Sequence, residues 1–294
     1  MSRRRNRHTP SRARREPKRP RDAFVRRPFE ALADEPEWVA LREIVPAATA
    51  PLTLTPSTAD RYGQRPATLA TLLPLAEPAM SRTDGRVLVA LQRDGQSGDV
   101  NRDIATALLA ALAAEPGAPV DVPAADPDGP RLADVIEDGP LDITVHERFD
   151  FWLDDQAGAD PAVTASLERA NASVYPTARM AATRAAYWCQ VPERAHLRWV
   201  LAEPEEAALP ALARVSAAGG MKLDEQTRFA GMFRAHGLLV PVWDLPREAP
   251  AGQWEEPLAA FAKRYAEALA VTDDLTPEER RARQGLIGRQ LTLR

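Results

Sequence analysis

The sequence predicts an α+β protein: two pseudo-repeated strand–strand–helix–strand halves with mainly antiparallel sheet, plus C-terminal helices. Three observations lead there. Short apolar runs come in neighbouring pairs joined by turn signals, which marks hairpins rather than βαβ crossovers. A helical stripe follows each pair, and another short strand closes each half. The C-terminal stretch then carries two amphipathic patterns in a row.

The elements follow in chain order. Residues 1–27 hold no apolar period and are read as a disordered basic arm, since such a stretch cannot offset the entropy of ordering. In "EPEWVALREIVP", Trp38, Leu41 and Val45 recur at i, i+3 and i+7, a short helix stopped by Pro46. "ATLATLLPLAEPAMSR" and "RVLVALQ" read as strands about a "TDG" turn. "GDVNRDIATALLAALAAE" is a helix with Asp99 as N-cap and Ile104, Leu108 and Leu112 on one face. The connector "GAPVDVPAADPDGP" leads to a short helix, "RLADVIED", and a strand, "DITVHERFDFWLD". Ile143, Val145, Phe149, Phe151 and Leu153 share one face of that strand; Thr144, His146, Arg148 and Asp150 share the other.

Between the halves, "DPAVTASLERANASV" is a helix with Asp160 as N-cap, Pro161 at its first position, and a stripe of Val163, Leu167, Ala170 and Val174. The second half repeats the order. "TARMAATRAAYWCQ" and "HLRWVLA" are strands joined by "VPERA", and "EPEEAALPALARVSAAGG" is a helix ended by glycine. "TRFAGMFRAHG" reads as a short helix and "LLVPVWDLP" as a strand, matching the Arg-led helix, Gly and strand that end the first half. Trp254, Leu258, Phe261, Tyr265 and Leu269 line a further helix, and Thr276, Pro277 and Glu279 give the last one a capping box. The expected units are 1–27, 28–157 and 158–294, with 28–294 as a single domain the alternative.

Charge is divided unevenly. The chain has 38 Lys+Arg against 42 Asp+Glu, but residues 1–27 hold twelve bases (eleven Arg and Lys18) and only Glu16 and Asp22 as acids. The rest keeps 26 bases against 40 acids, so an arm of +10 precedes a body of −14. An arm of this kind seeks phosphate or acidic surfaces, its own body included. The preference for Arg is itself uninformative, because only three lysines occur anywhere (Lys18, Lys222, Lys263) and the bias suits a GC-rich genome. A single cysteine, Cys189, excludes an internal disulfide and a thiolate zinc cluster, and suits a reducing cytoplasm. No apolar stretch follows the arginines, so export is not expected, and "ATALLAALAA" falls short of the roughly 20 residues of a membrane span.

Chemistry-bearing motifs are weak. "RDGQSGDVNRDIA" feeds a helix N-terminus, where anions bind, but it lacks the phosphate-loop spacings and Asp99 already occupies the cap. His146, His196 and His236 have no metal-ligand spacing; surface and helix-end roles are expected, His236 at the end of its helix. Cys189 and His196 flank a hairpin and would face each other, yet "AAYWC" is the setting of a buried, inert thiol. No catalytic, cofactor or metal residue is assigned. Of the six tryptophans, Trp152 falls on the polar face of its strand, so either a helix covers that face or it is a binding surface.

Read together, "PFEALADEPEWVALREIVPAATAPL", "SGDVNRDIATAL", "VTASLERANAS", "AYWC", "HLRWVL", "FRAHGLLVPVWDLP" and "ERRARQGLIGRQLTL" resemble an actinobacterial family built on a domain of unknown function, over nearly all of 28–294. The resemblance implies a cytoplasmic protein and brings no activity with it. Many relatives carry an N-terminal SEC-C zinc knuckle, the type found at the tail of the translocation ATPase SecA, and some are labelled preprotein translocase for that reason. Here no cysteine precedes Cys189, so neither a zinc ligand nor that role carries over to any residue.

The functional expectation is therefore a non-enzymatic binding protein. Its arm (Arg3, Arg4, Arg5, Arg7, Arg12, Arg14, Arg15, Lys18, Arg19 and Arg21) would contact RNA, the ribosome or another polyanion, with no membrane and no cofactor involved. A solubilising tail is the plain alternative for the arm. Two further readings are an enzyme with its site between the lobes, marked by histidines converging on acids, and an adaptor marked by an exposed apolar patch around Trp152 or Trp243.

Overall fold

The structure is a computed structural model that describes residues 24–92, 97–153 and 161–289; the ten basic residues of the arm from Arg3 to Arg21 lie outside them, as does the Asp160 cap. Helix α1 (Glu35–Glu43) opens the body and ends before Pro46, as its stripe predicts. Trp38, Val39, Ala40 and Leu41 are all buried, but so are Glu35 and Glu37. A helix buried nearly all round has to find partners for its acids.

Strand β1 (Ala48–Leu52) follows, with no sequence signal behind it: its alanines are weak strand formers and Pro51 lacks a donor. Pro51 is exposed and lies past the two residues to which the neighbouring edge strand pairs, an open position that tolerates proline. Helix α2 (Pro56–Tyr62) was equally unsignalled; the Thr55 side chain caps it, accepting from the Thr58 N–H.

Strands β2 (Ala67–Ala70), β3 (Ala79–Ser81) and β4 (Val87–Ala90) come next. The "TDG" turn joins β3 to β4 as an antiparallel hairpin, with Gly85 at φ +86°, while β2 runs parallel to β4. Helix α3 (Val100–Ala113) has its expected cap, the Asp99 carboxylate accepting from the Asn101 N–H, and buries Ile104, Leu108 and Leu112. Its far end is closed by Arg65, whose Nη1 donates to the carbonyls of Ala111, Leu112 and Ala114 at 2.8–3.1 Å, satisfying groups that the helix leaves open. Helix α4 (Leu132–Val135) and strand β5 (Thr144–Val145) complete the first sheet, ordered β3-β4-β2-β1-β5.

Here one expectation fails. The alternating strand read over "DITVHERFDFWLD" ends at Val145, and Asp150–Trp152 is a turn of 3-10 helix. With three residues per turn, Phe149 and Trp152 fall on the same side and stack at 4.4 Å, and the Trp152 indole N–H donates to the Leu72 carbonyl at 2.8 Å. Helix α5 (Pro161–Asn171) then covers them with Leu167 and Ala170, joined by Val174 just beyond it.

The second sheet is ordered β6-β7-β8-β10-β9 and is antiparallel throughout. Its strands are β6 (Thr177–Arg179), β7 (Ala186–Gln190), β8 (Ala195–Trp199), β9 (Arg228–Ala235) and β10 (Leu238–Leu245). "TARMAATRAAYWCQ" is thus two strands where one was expected. Helices α6 (Glu205–Ala217), α7 (Glu255–Leu269) and α8 (Pro277–Ile287) lie where their stripes put them, and Thr276 and Glu279 form the capping box of α8.

The larger correction is β9. "TRFAGMFRAHG" was expected to be a helix and is a strand, paired to β10 through a bulge opposite Val242 and Trp243. Phe229 and Met232 face one core, while Ala230, Phe233 and Ala235 face the other. The extra residue turns the spacing of two into a spacing of three, which reads as helical. His236 and Gly237, both at positive φ (45° and 84°), make the two-residue turn into β10, so His236 ends a strand and not a helix. The two half-endings therefore differ: the first is α4 and the second β9.

The second sheet is a middle layer. One face, with Tyr187, Phe233, Val240 and Val242, shares a core with α1, α3 and the first sheet. The other face, with Trp199, Leu239 and Trp243, packs on α6 and α7.

Candidate functional site

The three body histidines are held in three separate settings. His146 Nε2 lies 2.8 Å from the Thr49 hydroxyl with its ring 4.8 Å from Phe151. His236 Nε2 lies 2.8 Å from Glu43 Oε1, and that contact holds the Glu43 carboxyl below its usual range. His196 lies on β8. The convergence on acids in one pocket that would mark an enzyme is not what these residues make.

The closest approach to a catalytic arrangement is a row across the second sheet. Register places Thr177, Cys189, His196, Asp244 and Arg228 side by side on five adjacent strands, so Cys189 and His196 do face each other. His196 Nδ1 is 3.1 Å from Asp244 Oδ1, at ion-pair distance but off hydrogen-bond geometry. Asp244 is also engaged by Arg228 and by Arg194 at 3.2 Å. Burial pushes the Cys189 thiol up; burial, with Arg198 beside it, outweighs Asp244 and pulls the His196 imidazole down. Both groups are therefore neutral near pH 7, the opposite of an activated thiolate–imidazolium pair.

Burial also holds His146 below the ordinary imidazole value. His146 and His196 each take up a proton more readily in the unfolded chain. Their contribution to stability is thus complete above pH about 6.5 and is lost as pH falls from there through the lower folded values. The urea midpoint is expected to drop between pH 7 and pH 5, and His146→Gln to reduce that drop. A wild-type midpoint that does not move over this window would show the assignment to be wrong.

At the N-terminus of α3 the Asp99 carboxylate is already shared, with Arg131 and with Arg102 at 3.3 Å. An incoming anion there would meet a negative cap, so "SGDVNRD" is an ordinary capped turn.

The aromatic-face reading is overturned for Trp243, which is fully buried with its indole N–H donating to the Met221 carbonyl at 2.7 Å. Trp152 is turned inward as described above.

What the sequence did not reveal is a set of ion pairs by which α1 and the segment before it grip the second sheet. Glu37, with no exposure at all, accepts from Arg179 Nε at 3.0 Å and Nη2 at 2.6 Å, from the Ala185 N–H at 3.0 Å and from the Tyr187 hydroxyl at 2.7 Å. Asp34 binds Arg184 and the Leu141 N–H. The base of the arm is paired as well, though not to the sheet: Arg26 reaches Glu205 of α6 at 3.3 Å, and Arg27 pairs with Glu35 of α1 and with Glu30 at 2.9 Å. The signal for this was present in two glutamates, Glu35 and Glu37, set among the buried positions of a helix that carries Trp38 and Leu41.

Fold and sites together define an α+β protein of two five-stranded sheets. Among the described residues no three or more His, Cys, Asp or Glu are grouped to hold a metal ion, and no helix is long and apolar enough to cross a membrane. Residues 28–294 match the model of a family described as a family of unknown function (DUF5926), and the chain belongs to that family. No curated protein and no solved structure matches it.

Proposed function

We propose that this is a cytoplasmic RNA-binding protein in which the arm supplies the affinity and the folded body supplies a second, separate role. The observation that carries the reading is the partition of charge, +10 over residues 1–27 against −14 over the rest. Arg26 and Arg27 are engaged with Glu205, Glu30 and Glu35, so the bases offered to a partner are the ten from Arg3 to Arg21. Each phosphate they neutralise releases counterions, and no aromatic is interleaved among them to stack on bases. Affinity should be steep in salt and poor in sequence preference.

The test is binding of a single-stranded RNA from 50 to 300 mM salt, by the full chain and by a chain beginning at Phe24, which keeps the Arg26 and Arg27 ion pairs. With all ten contacts made, the log–log slope is expected near −7 on single strands, at about −0.7 per contact. Removal of residues 1–23 should abolish binding. Equal binding by both chains, or a slope near zero, would reduce the arm to a solubilising tail.

A further inference from the structure

We propose that the open groove between α3 and the connector over residues 114–131 is the seat of arm residues 17–21 in this same chain, so that RNA has to displace them. Only the last clause rests on the function proposed above.

The groove is a hollow of about 540 Å³, floored by Tyr62, Leu109, Ala110, Ala113, Pro123 and Pro130, with Asp121 and Asp126 also lining it and no basic residue doing so. The chain enters at its end. The Val25 N–H donates to the Gly98 carbonyl at 2.9 Å, and Val25 lines an adjoining hollow together with Pro127 and Asp126, the residue that the two hollows share. The cations nearest this entrance are already bound, Arg131 to Asp99, and Arg102 to Asp99 and the Gly129 carbonyl.

Charge and sequence fit the occupant. The two arm bases next to the body, Arg26 and Arg27, both pair with body carboxylates, which sets the precedent for those further out. Residues 17–21 read "PKRPR". In a polyproline II helix of three residues per turn, Pro17 and Pro20 share one side, toward the apolar floor, and the bases project toward acids. Segments of this kind dock in grooves that combine aromatic and apolar side chains. Reach is sufficient: the eight residues from Pro17 to Val25 would span about 25 Å at 3.1 Å per residue. The stretch of α3 along the groove is about 12 Å long at 1.5 Å per residue.

Lys18 makes the proposal directly testable, being the only lysine of the arm, with Lys222 and Lys263 as internal references. The full chain is treated with a carbodiimide at 50 mM salt, which joins an amine to a touching carboxylate as an amide, and the joined peptides are mapped by mass spectrometry. Lys18 is expected to couple chiefly to Asp121 or Asp126 within the monomer, several-fold less at 500 mM salt. The double variant Asp121→Asn, Asp126→Asn should lose that product. Both positions are exposed, so its folding is not at risk. It should also bind a single-stranded RNA about fivefold more tightly, the scale of two surface ion pairs.

Coupling scattered over exposed acids such as Glu30, Glu225 and Glu278, or none from Lys18, would overturn the seat. A coupled dimer would also overturn it, by placing the arm on a second copy. Coupling at Asp121 or Asp126 without RNA binding would leave the seat standing and remove the RNA reading. RNA binding without that coupling would do the reverse.

Discussion

Glu37→Ala is expected to lower unfolding stability by about 3–5 kcal/mol, because removing one partner of a buried charge pair strands the others. The side chain has no solvent exposure and takes four hydrogen bonds, from Arg179 and Tyr187 of the second sheet and from Ala185 just before β7. Arg179 keeps 29% of its side chain exposed and would recover part of its hydration, which argues for the lower end of the range. The Ala185 N–H and the Tyr187 hydroxyl have no such escape. Burial first, and then the neighbouring carboxylate of Glu37, push the Tyr187 hydroxyl far above its ordinary value, so it remains a hydrogen-bond donor at any ordinary pH.

Glu37→Gln should cost less than alanine but remain damaging: with Oε1 kept on Arg179 and Ala185, its N–H₂ replaces the oxygen that accepted from the Tyr187 hydroxyl, and the charge facing Arg179 is gone. The measurement is urea unfolding of wild type, Glu37→Ala, Arg179→Met and the double variant. A strong coupling between the two sites is expected, because once Glu37 is gone the Arg179 charge has nothing left to lose there. A loss below about 1 kcal/mol for Glu37→Ala would mean that water reaches the site and that the grip between α1 and the second sheet is ordinary surface pairing.

That grip explains which parts of the molecule were readable in advance. Elements with a local rule behind them came through: the Asp99 cap, the Thr276–Glu279 box, and the stripe Leu258, Phe261, Tyr265 on α7. Elements defined by long-range pairing did not. β1 is mostly alanine and proline, which do not favour a strand, and it exists because β2 on one side and β5 on the other accept its backbone. β9 was misread because the bulge near Gly231 shifts Phe229 and Met232 to a helical interval, and because "HG" was taken as a helix end when it is a two-residue hairpin turn. The facing of Cys189 and His196 was legible from the hairpin. The fourth and fifth members of that row, Asp244 and Arg228, come from a distant hairpin that no local pattern announces.

Trp243→Ala is expected to cost a further large amount, about 3–5 kcal/mol, on the opposite face of the same sheet. Its ring meets Phe261 of α7 at 4.8 Å and Phe229 of β9 at 6.0 Å, and its N–H satisfies the Met221 carbonyl in the turn that follows α6. Three elements therefore lose a common partner at once. Trp243→Phe keeps most of the apolar contact and should cost less, about 1–2 kcal/mol for the carbonyl left unpaired plus the smaller ring. A cost under 1 kcal/mol for the alanine variant would show that α7 does not depend on this contact.

The two variants together also decide how the halves are joined. Val240 and Val242 face the core shared with the first sheet, while Leu239 and Trp243, on the other side of β10's pleat, face α6 and α7. Strand β10 is thus common to both cores, and damage on either side of it should destabilise the whole. Glu37→Ala and Trp243→Ala are expected to shift one and the same transition, whether followed by helix content or by tryptophan emission. Two separated steps, one moved only by Trp243→Ala, would instead make the second sheet with α6, α7 and α8 a unit that folds without the first.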